Sequence, residues 1–85
     1  MLRDKHDIFD IVRRHTLEIL PDLQLGDVTI DKSLTELGAN SVDRVEILMY
    51  TQEELGLKIP TTELQGLRNL QALVDLLHRH ANLGA

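Results

Sequence analysis

The sequence predicts an all-α bundle of three main helices and one short helix, joined by a long first loop. Apolar residues return at three- and four-residue steps in three separate stretches. No stretch alternates apolar and polar residues long enough for a strand, and Val28-Thr29-Ile30 does so only briefly. Size agrees: 85 residues, 42% of them hydrophobic, leave room for one small domain over 1–85 with one modest core.

The first helix is expected over roughly 4–20, where Ile8, Ile11, Val12, His15 and Ile19 share a face and Pro21 stops the run. Arg13, Arg14 and Glu18 fall mainly on its wet side. Residues 21–40 hold Pro21, Gly26, Gly38 and four acids without sustained periodicity, and read as a long ordered loop. Within it, Ser33-Leu34-Thr35-Glu36 has capping-box spacing and starts a single turn. Loops of this length have a function or cover a core. The second helix begins at Asn40 or Ser41 and ends near Leu55, because Gly56 suits the left-handed position after a helix and Pro60 follows. Thr61-Thr62-Glu63-Leu64-Gln65 makes a turn or two. The last helix starts about Asn69, puts Leu70, Leu73, Val74, Leu77 and Ala81 on one face, and gives way to a flexible tail over about 82–85.

Composition narrows the function. With no cysteine there is no disulfide framework, thiolate metal site or cysteine nucleophile, so any thiol chemistry arrives on an attached group. Residues 21–63 carry nine acids against Lys32, Arg44 and Lys58, and this segment alone exceeds the net charge of -5. Nucleic acid needs clustered Lys and Arg to displace counterions and is not an expected partner. Either the acids keep a small domain soluble, or they face a basic protein partner. No apolar run approaches the ~20 residues of a membrane span, and the polar first residues do not form a signal-peptide core. A cytoplasmic monomer that does not engage membranes is expected. His6, His15, His78 and His80 complete no ligand set, so no metal is expected, and His15 reads as a packing residue. No Gly-x-Ser-x-Gly elbow or placed His and Asp supports a hydrolase, so no catalytic residue is assigned.

The second helix carries the functional signal. At 100° per residue, Ile47, Leu48 and Leu55 gather on one side with Thr51, while Val42, Val45 and Met49 fall nearly opposite. A surface helix buries one stripe. The other is either a docking strip rimmed by Asp43, Glu46 and Glu53, or is covered by the 21–40 loop. At the head of the helix Asn40 is the cap, Ser41 the first helical residue, and Asp43 an acid in the first turn. Ser41 thereby stands at a positive helix end that suits a phosphate ester, or serves as a plain capping residue.

Leu37-Gly38-Ala39-Asn40-Ser41-Val42-Asp43-Arg44-Val45-Glu46, followed by Glu53-Glu54-Leu55-Gly56-Leu57-Lys58-Ile59-Pro60, resembles the acyl carrier proteins. Their signature is a Gly-x-Asp-Ser-Leu run opening the second helix and a Glu-rich run ending in Ile-Pro. The resemblance spans the whole chain and implies that Ser41 is the attachment site for 4′-phosphopantetheine, with Asn40 capping the helix beside it. It implies a phosphopantetheinyl transferase, an acyl-loading enzyme, and a ketosynthase-like or HMG-synthase-like enzyme as partners, and a carrier rather than an enzyme. Docking would fall to Val42, Asp43, Arg44, Val45, Glu46, Met49 and Glu53. Ile47, Leu48 and Leu55 would line an interior that shelters an acyl chain in some members.

The chain departs from the signature at four positions. Asn40 replaces Asp, keeping the cap but removing a charge. Arg44 stands where a small neutral residue is common, placed to meet an acidic acyl group or to pair with nearby acids. Tyr50 and Thr51 replace smaller or more apolar residues. The chain is most similar to free-standing carriers of polyketide pathways, and among them to donor carriers of β-branching cassettes, which present acetyl to an HMG-synthase-like enzyme. A fatty-acid carrier and an aminoacyl carrier are the alternatives within the family. An unmodified acidic helical interaction module is the alternative outside it.

Overall fold

The computed structural model describes residues 4–83, and in them the expected helices form without any strand. Helix α1 spans Lys5–Ile19, α2 Ser41–Leu55, α3 Thr61–Leu64 and α4 Leu70–Leu83, with a 3-10 turn at Leu25–Asp27. The α4 helix runs through Leu83, so two residues assigned to the tail are helical. The other two, Gly84 and Ala85, lie outside the described residues. None of these helices is long and apolar enough to cross a membrane.

Helix α1 starts one residue late because Asp4 is its cap, its side chain accepting from the Asp7 N–H at 2.8 Å. It buries Ile8, Ile11, Val12 and Thr16 and packs against both α2 and α4, which touch each other little. Two threonines enter this interior without a polar penalty. Thr16 and Thr51 each donate their hydroxyl to the carbonyl one turn back, Val12 and Ile47 respectively, at 2.7 Å.

The core combines helix residues Ile8, Val12, Ile47, Leu70, Val74 and Leu77 with Val28, Leu34, Ala39 and Ile59 from the connections. The long first loop is therefore structural as well as connective. Its Lys32 and Ile30 carbonyls accept from the Leu70 and Gln71 N–H groups at 2.8 Å each, capping the head of α4. Asn69 completes that cap by accepting from the Ala72 N–H at 2.9 Å. The expected single turn follows, with Ser33 and Glu36 forming a reciprocal capping box. It closes at Gly38, whose φ of 101° is readily available only to glycine.

Ion pairs tie the helices at their exposed seams. Lys5 on α1 meets Asp75 on α4 at 2.9 Å, and Arg14 and His15 on α1 converge on Glu54 of α2. Burial at the seam pushes the Glu54 carboxyl up, but bonds to Arg14 and His15 outweigh it and hold it below its usual range. Lys5 does the same for Asp75, against its partial burial. Carboxylates depressed in the folded chain stabilise it above their unfolded range, and that contribution is lost as pH falls through their folded values. Urea denaturation is therefore expected to show lower stability near pH 3 than near pH 7. Glu54→Gln should shrink that difference while costing no more than about 1 kcal/mol at neutral pH, since solvent reaches the pair.

Candidate functional site

The head of α2 is built by a reciprocal capping box. Asn40 Oδ1 accepts from the Asp43 N–H at 2.8 Å, and Asp43 Oδ2 accepts from the Asn40 N–H at 3.2 Å. This confirms Asn40 as the cap and makes Ser41 the first helical residue. Ser41 is exposed. Among the described residues its hydroxyl and backbone N–H, and the N–H of Val42, have no protein partner.

Arg44 does not pair with the acids near it. Its Nη1 donates to the Ala39 carbonyl at 3.0 Å, and it forms no ion pair among the described residues. The short connection into α2 competes better for this half-buried guanidinium than the Asp43 carboxylate, which the capping box already occupies.

The outer stripe of α2 is open. Val42 and Val45 are 62% and 63% exposed and Met49 42%; Tyr50, also exposed, lies apart from the strip toward α1, its ring 6.1 Å from that of His15. Glu53 is exposed beside it, and Asp43 and Glu46 are half-buried. The 21–40 loop does not cover this stripe, because its backbone is committed to the head of α4. The inner stripe divides. Ile47 is fully buried, with Leu48 and Leu55 partly buried against the core.

A half-open cleft of about 1080 Å³ lies between α2 and α4, where those helices fail to meet, walled on the outside by the segment around α3. Ser41 and Arg44 stand on it, as do Val45 and Met49. Of the three residues expected to line such an interior, Leu48 lies on the cleft, whereas Ile47 belongs to the packed core and Leu55 packs against it. Sequence reasoning missed Gln52, Leu57, Ile59, Leu64, Leu67 and Leu73 as lining residues. The Ile59-Pro60 pair was their one visible signal.

The histidines are engaged locally. His15 meets Glu54 at 2.8 Å, His80 meets Glu63 at 3.0 Å, and His78 meets Asn82 at 3.0 Å. No group of three or more His, Asp or Glu among the described residues is placed to hold a metal.

Unpaired N–H groups at a helix head suit a phosphate, and the adjoining apolar cleft suits a flexible arm with an acyl end. Fold and site together define a helical carrier. Comparison with known proteins agrees. Residues 10–77 match the family described as PP-binding, phosphopantetheine attachment site. The chain is 41% identical over 75 residues to the polyketide biosynthesis acyl-carrier-protein AcpK of Bacillus subtilis (strain 168), covering 88% of this chain and 92% of that protein. It also resembles a chain in the crystal structure of the curacin biosynthetic pathway HMG synthase in complex with acetyl donor-ACP. That likeness has a TM-score of 0.83 and 38% identity, covering 91% of this chain and 99% of the other. The chain thus belongs to the acyl carrier protein family, whose prosthetic group is a covalently attached 4′-phosphopantetheine.

The cap is expected to matter by itself. Asn40→Ala should cost about 1 kcal/mol in urea denaturation, while Asn40→Asp, which can accept the same hydrogen bond, should stay close to the native value.

Proposed function

We propose that Ser41 bears the 4′-phosphopantetheine and that the protein carries acyl groups in polyketide biosynthesis, donating acetyl to an HMG-synthase-like enzyme for β-branching. The observation that carries this reading is the exposed, unpartnered Ser41 at the head of α2, on the cleft and beside an open apolar strip. The likeness to a chain of the curacin HMG synthase–acetyl donor complex supports the choice of partner.

The chain's own residues position rather than catalyse. Asn40 and Asp43 fix the first turn, so the Ser41 hydroxyl faces solvent at the positive end of the helix. The Ser41 and Val42 N–H groups stabilise a phosphodiester formed there. Activation of the hydroxyl belongs to an external phosphopantetheinyl transferase that uses coenzyme A. When bound, the prosthetic group supplies the terminal thiol that holds an acyl group as a thioester. Val42, Val45 and Met49 provide apolar contact to an enzyme, and Asp43, Glu46 and Glu53 supply charge that attracts a basic rim. Arg44, bound to Ala39, holds the approach to Ser41. Leu48 and the cleft behind it receive the acyl chain. An acyl-loading enzyme charges the carrier, and a ketosynthase-like or HMG-synthase-like enzyme draws on it.

Intact mass spectrometry tests the attachment. Incubation with coenzyme A, magnesium and a broad-specificity transferase should add one phosphopantetheine to the native protein and none to Ser41→Ala. An unmodified native protein with two different transferases would leave the acidic interaction module as the better reading. Docking has a separate test: Val45→Glu should weaken affinity for an HMG-synthase-like partner about tenfold, and affinity should fall with added salt. Salt-independent affinity would remove the acidic rim from the interface.

A further inference from the structure

The outer wall of the cleft is attached to the bundle by few polar bonds. Between Gly56 and Pro60, the chain leaves α2 and turns back along the cleft, exposing Leu57 and Ile59 to its interior. One residue supplies the side-chain anchor. Gln52 Oε1 accepts from the Ile59 N–H at 2.7 Å, and Gln52 Nε2 donates to the Leu48 carbonyl at 3.3 Å. Its backbone carbonyl also accepts from the Leu57 N–H at 2.8 Å. Farther along, α3 has a single side-chain polar tie to the other helices among the described residues, Glu63 to His80 of α4 at 3.0 Å.

We infer that Gln52 is a positioning residue for carriage: by holding the Ile59 N–H, it fixes the wall of the cleft and so governs how well an acyl chain inside is shielded. This rests on the reading that the cleft receives the acyl chain. Gln52 lies on the cleft, where an unbonded amide would oppose an apolar occupant. Both polar ends of its amide are bonded to backbone, the oxygen to the wall at Ile59 and the nitrogen to its own helix at Leu48, so neither is left bare toward an occupant. Ile59 is buried in the core just beyond, and losing the acceptor would leave its N–H without a partner in a part-buried place. The wall would then open locally while α1, α2 and α4 keep their own packing.

The test compares native protein, Gln52→Leu and Gln52→Glu, each loaded through its prosthetic thiol with octanoyl or acetyl. Hydroxylamine attacks the thioester carbonyl, yielding a hydroxamate and releasing the thiol, so its rate reports access to the acyl end. In parallel, amide hydrogen exchange follows Ile59 and the core amides of Leu73 and Val74. Gln52→Leu should speed exchange at Ile59 about tenfold over its effect on the core amides, and speed cleavage of octanoyl several-fold while leaving acetyl unchanged. Gln52→Glu, which keeps the acceptor, should stay within about twofold of native in both readouts. Unchanged Ile59 exchange in Gln52→Leu, equal acceleration at all three amides, or equal acceleration of both thioesters would overturn the assignment. Failure of the underlying reading would appear before any substitution, as octanoyl on native protein cleaved as readily as acetyl, and would overturn the inference with it.

Discussion

Everything in this molecule depends on α1 serving as the common packing partner of two helices that scarcely touch each other. Ile8 and Val12 are fully buried in that role, and Ile47, Val74 and Leu77 close over them from α2 and α4. Three helices with only two good interfaces leave a gap opposite the shared one. The connections fill part of it with Val28, Leu34, Ala39 and Ile59. The remainder is the cleft. A chain richer in aromatics could have filled it, but this one has a single Phe and a single Tyr, and neither lines the cavity. The cleft is a consequence of topology and composition acting together.

The same economy leaves the heads of α2 and α4 in opposite conditions. At α4, Leu70, Gln71 and Ala72 all donate to acceptors supplied by Lys32, Ile30 and Asn69. That end is closed to ligands. At α2, the capping box satisfies Asp43 and Asn40 and leaves Ser41 and Val42 with free N–H groups beside an exposed hydroxyl. The long first loop creates this difference, because a backbone committed to α4 cannot also cover α2. Its length, unusual in so small a fold, thus bears on the site through where the loop is anchored, while its last residues, Ala39 and Asn40, hold Arg44 and cap α2.

What the sequence revealed followed from local rules. Periodicity located α1, α2 and α4, and the spacing of Asn40, Ser41 and Asp43 gave the head of α2, because caps are decided within one turn. The two stripes of α2 were legible for the same reason. Which residues face the cleft was not legible from periodicity, since the cleft is defined by a missing helix contact, a property of tertiary arrangement. Ile47 and Leu48 are adjacent in sequence and lie on one side of α2, yet only Leu48 reaches the cavity. Leu57, Ile59 and Leu67 sit in aperiodic segments, and Gln52 reads as an ordinary polar helix residue until Ile59 is seen to return to it. The partner of Arg44 was not legible either, because a backbone carbonyl five residues earlier holds it rather than any nearby acid.

A helix that leaves half of its apolar residues in solvent needs stability from somewhere other than burial. α2 fully buries only Ile47 and Thr51 across fifteen residues, far less than an amphipathic surface helix of that length would. Its ends compensate. The capping box secures the first turn, and Gly56, at φ 70°, closes the last by a Schellman arrangement in which Gly56 N–H donates to Glu53 and Leu57 N–H to Gln52. Each device contributes about 1 kcal/mol, comparable to burying part of a valine side chain. The Arg14 and His15 contacts to Glu54 add a tie at the C-terminal end. Stabilised from its termini and seams, α2 can keep Val42, Val45 and Met49 free for another surface. Met49 and Val45 also border the cleft, so an enzyme resting on this strip would contact the mouth of the compartment as well as the neighbourhood of Ser41. Capping, normally a detail of helix termination, is here what permits one helix to serve a core, a cleft and an open face at once.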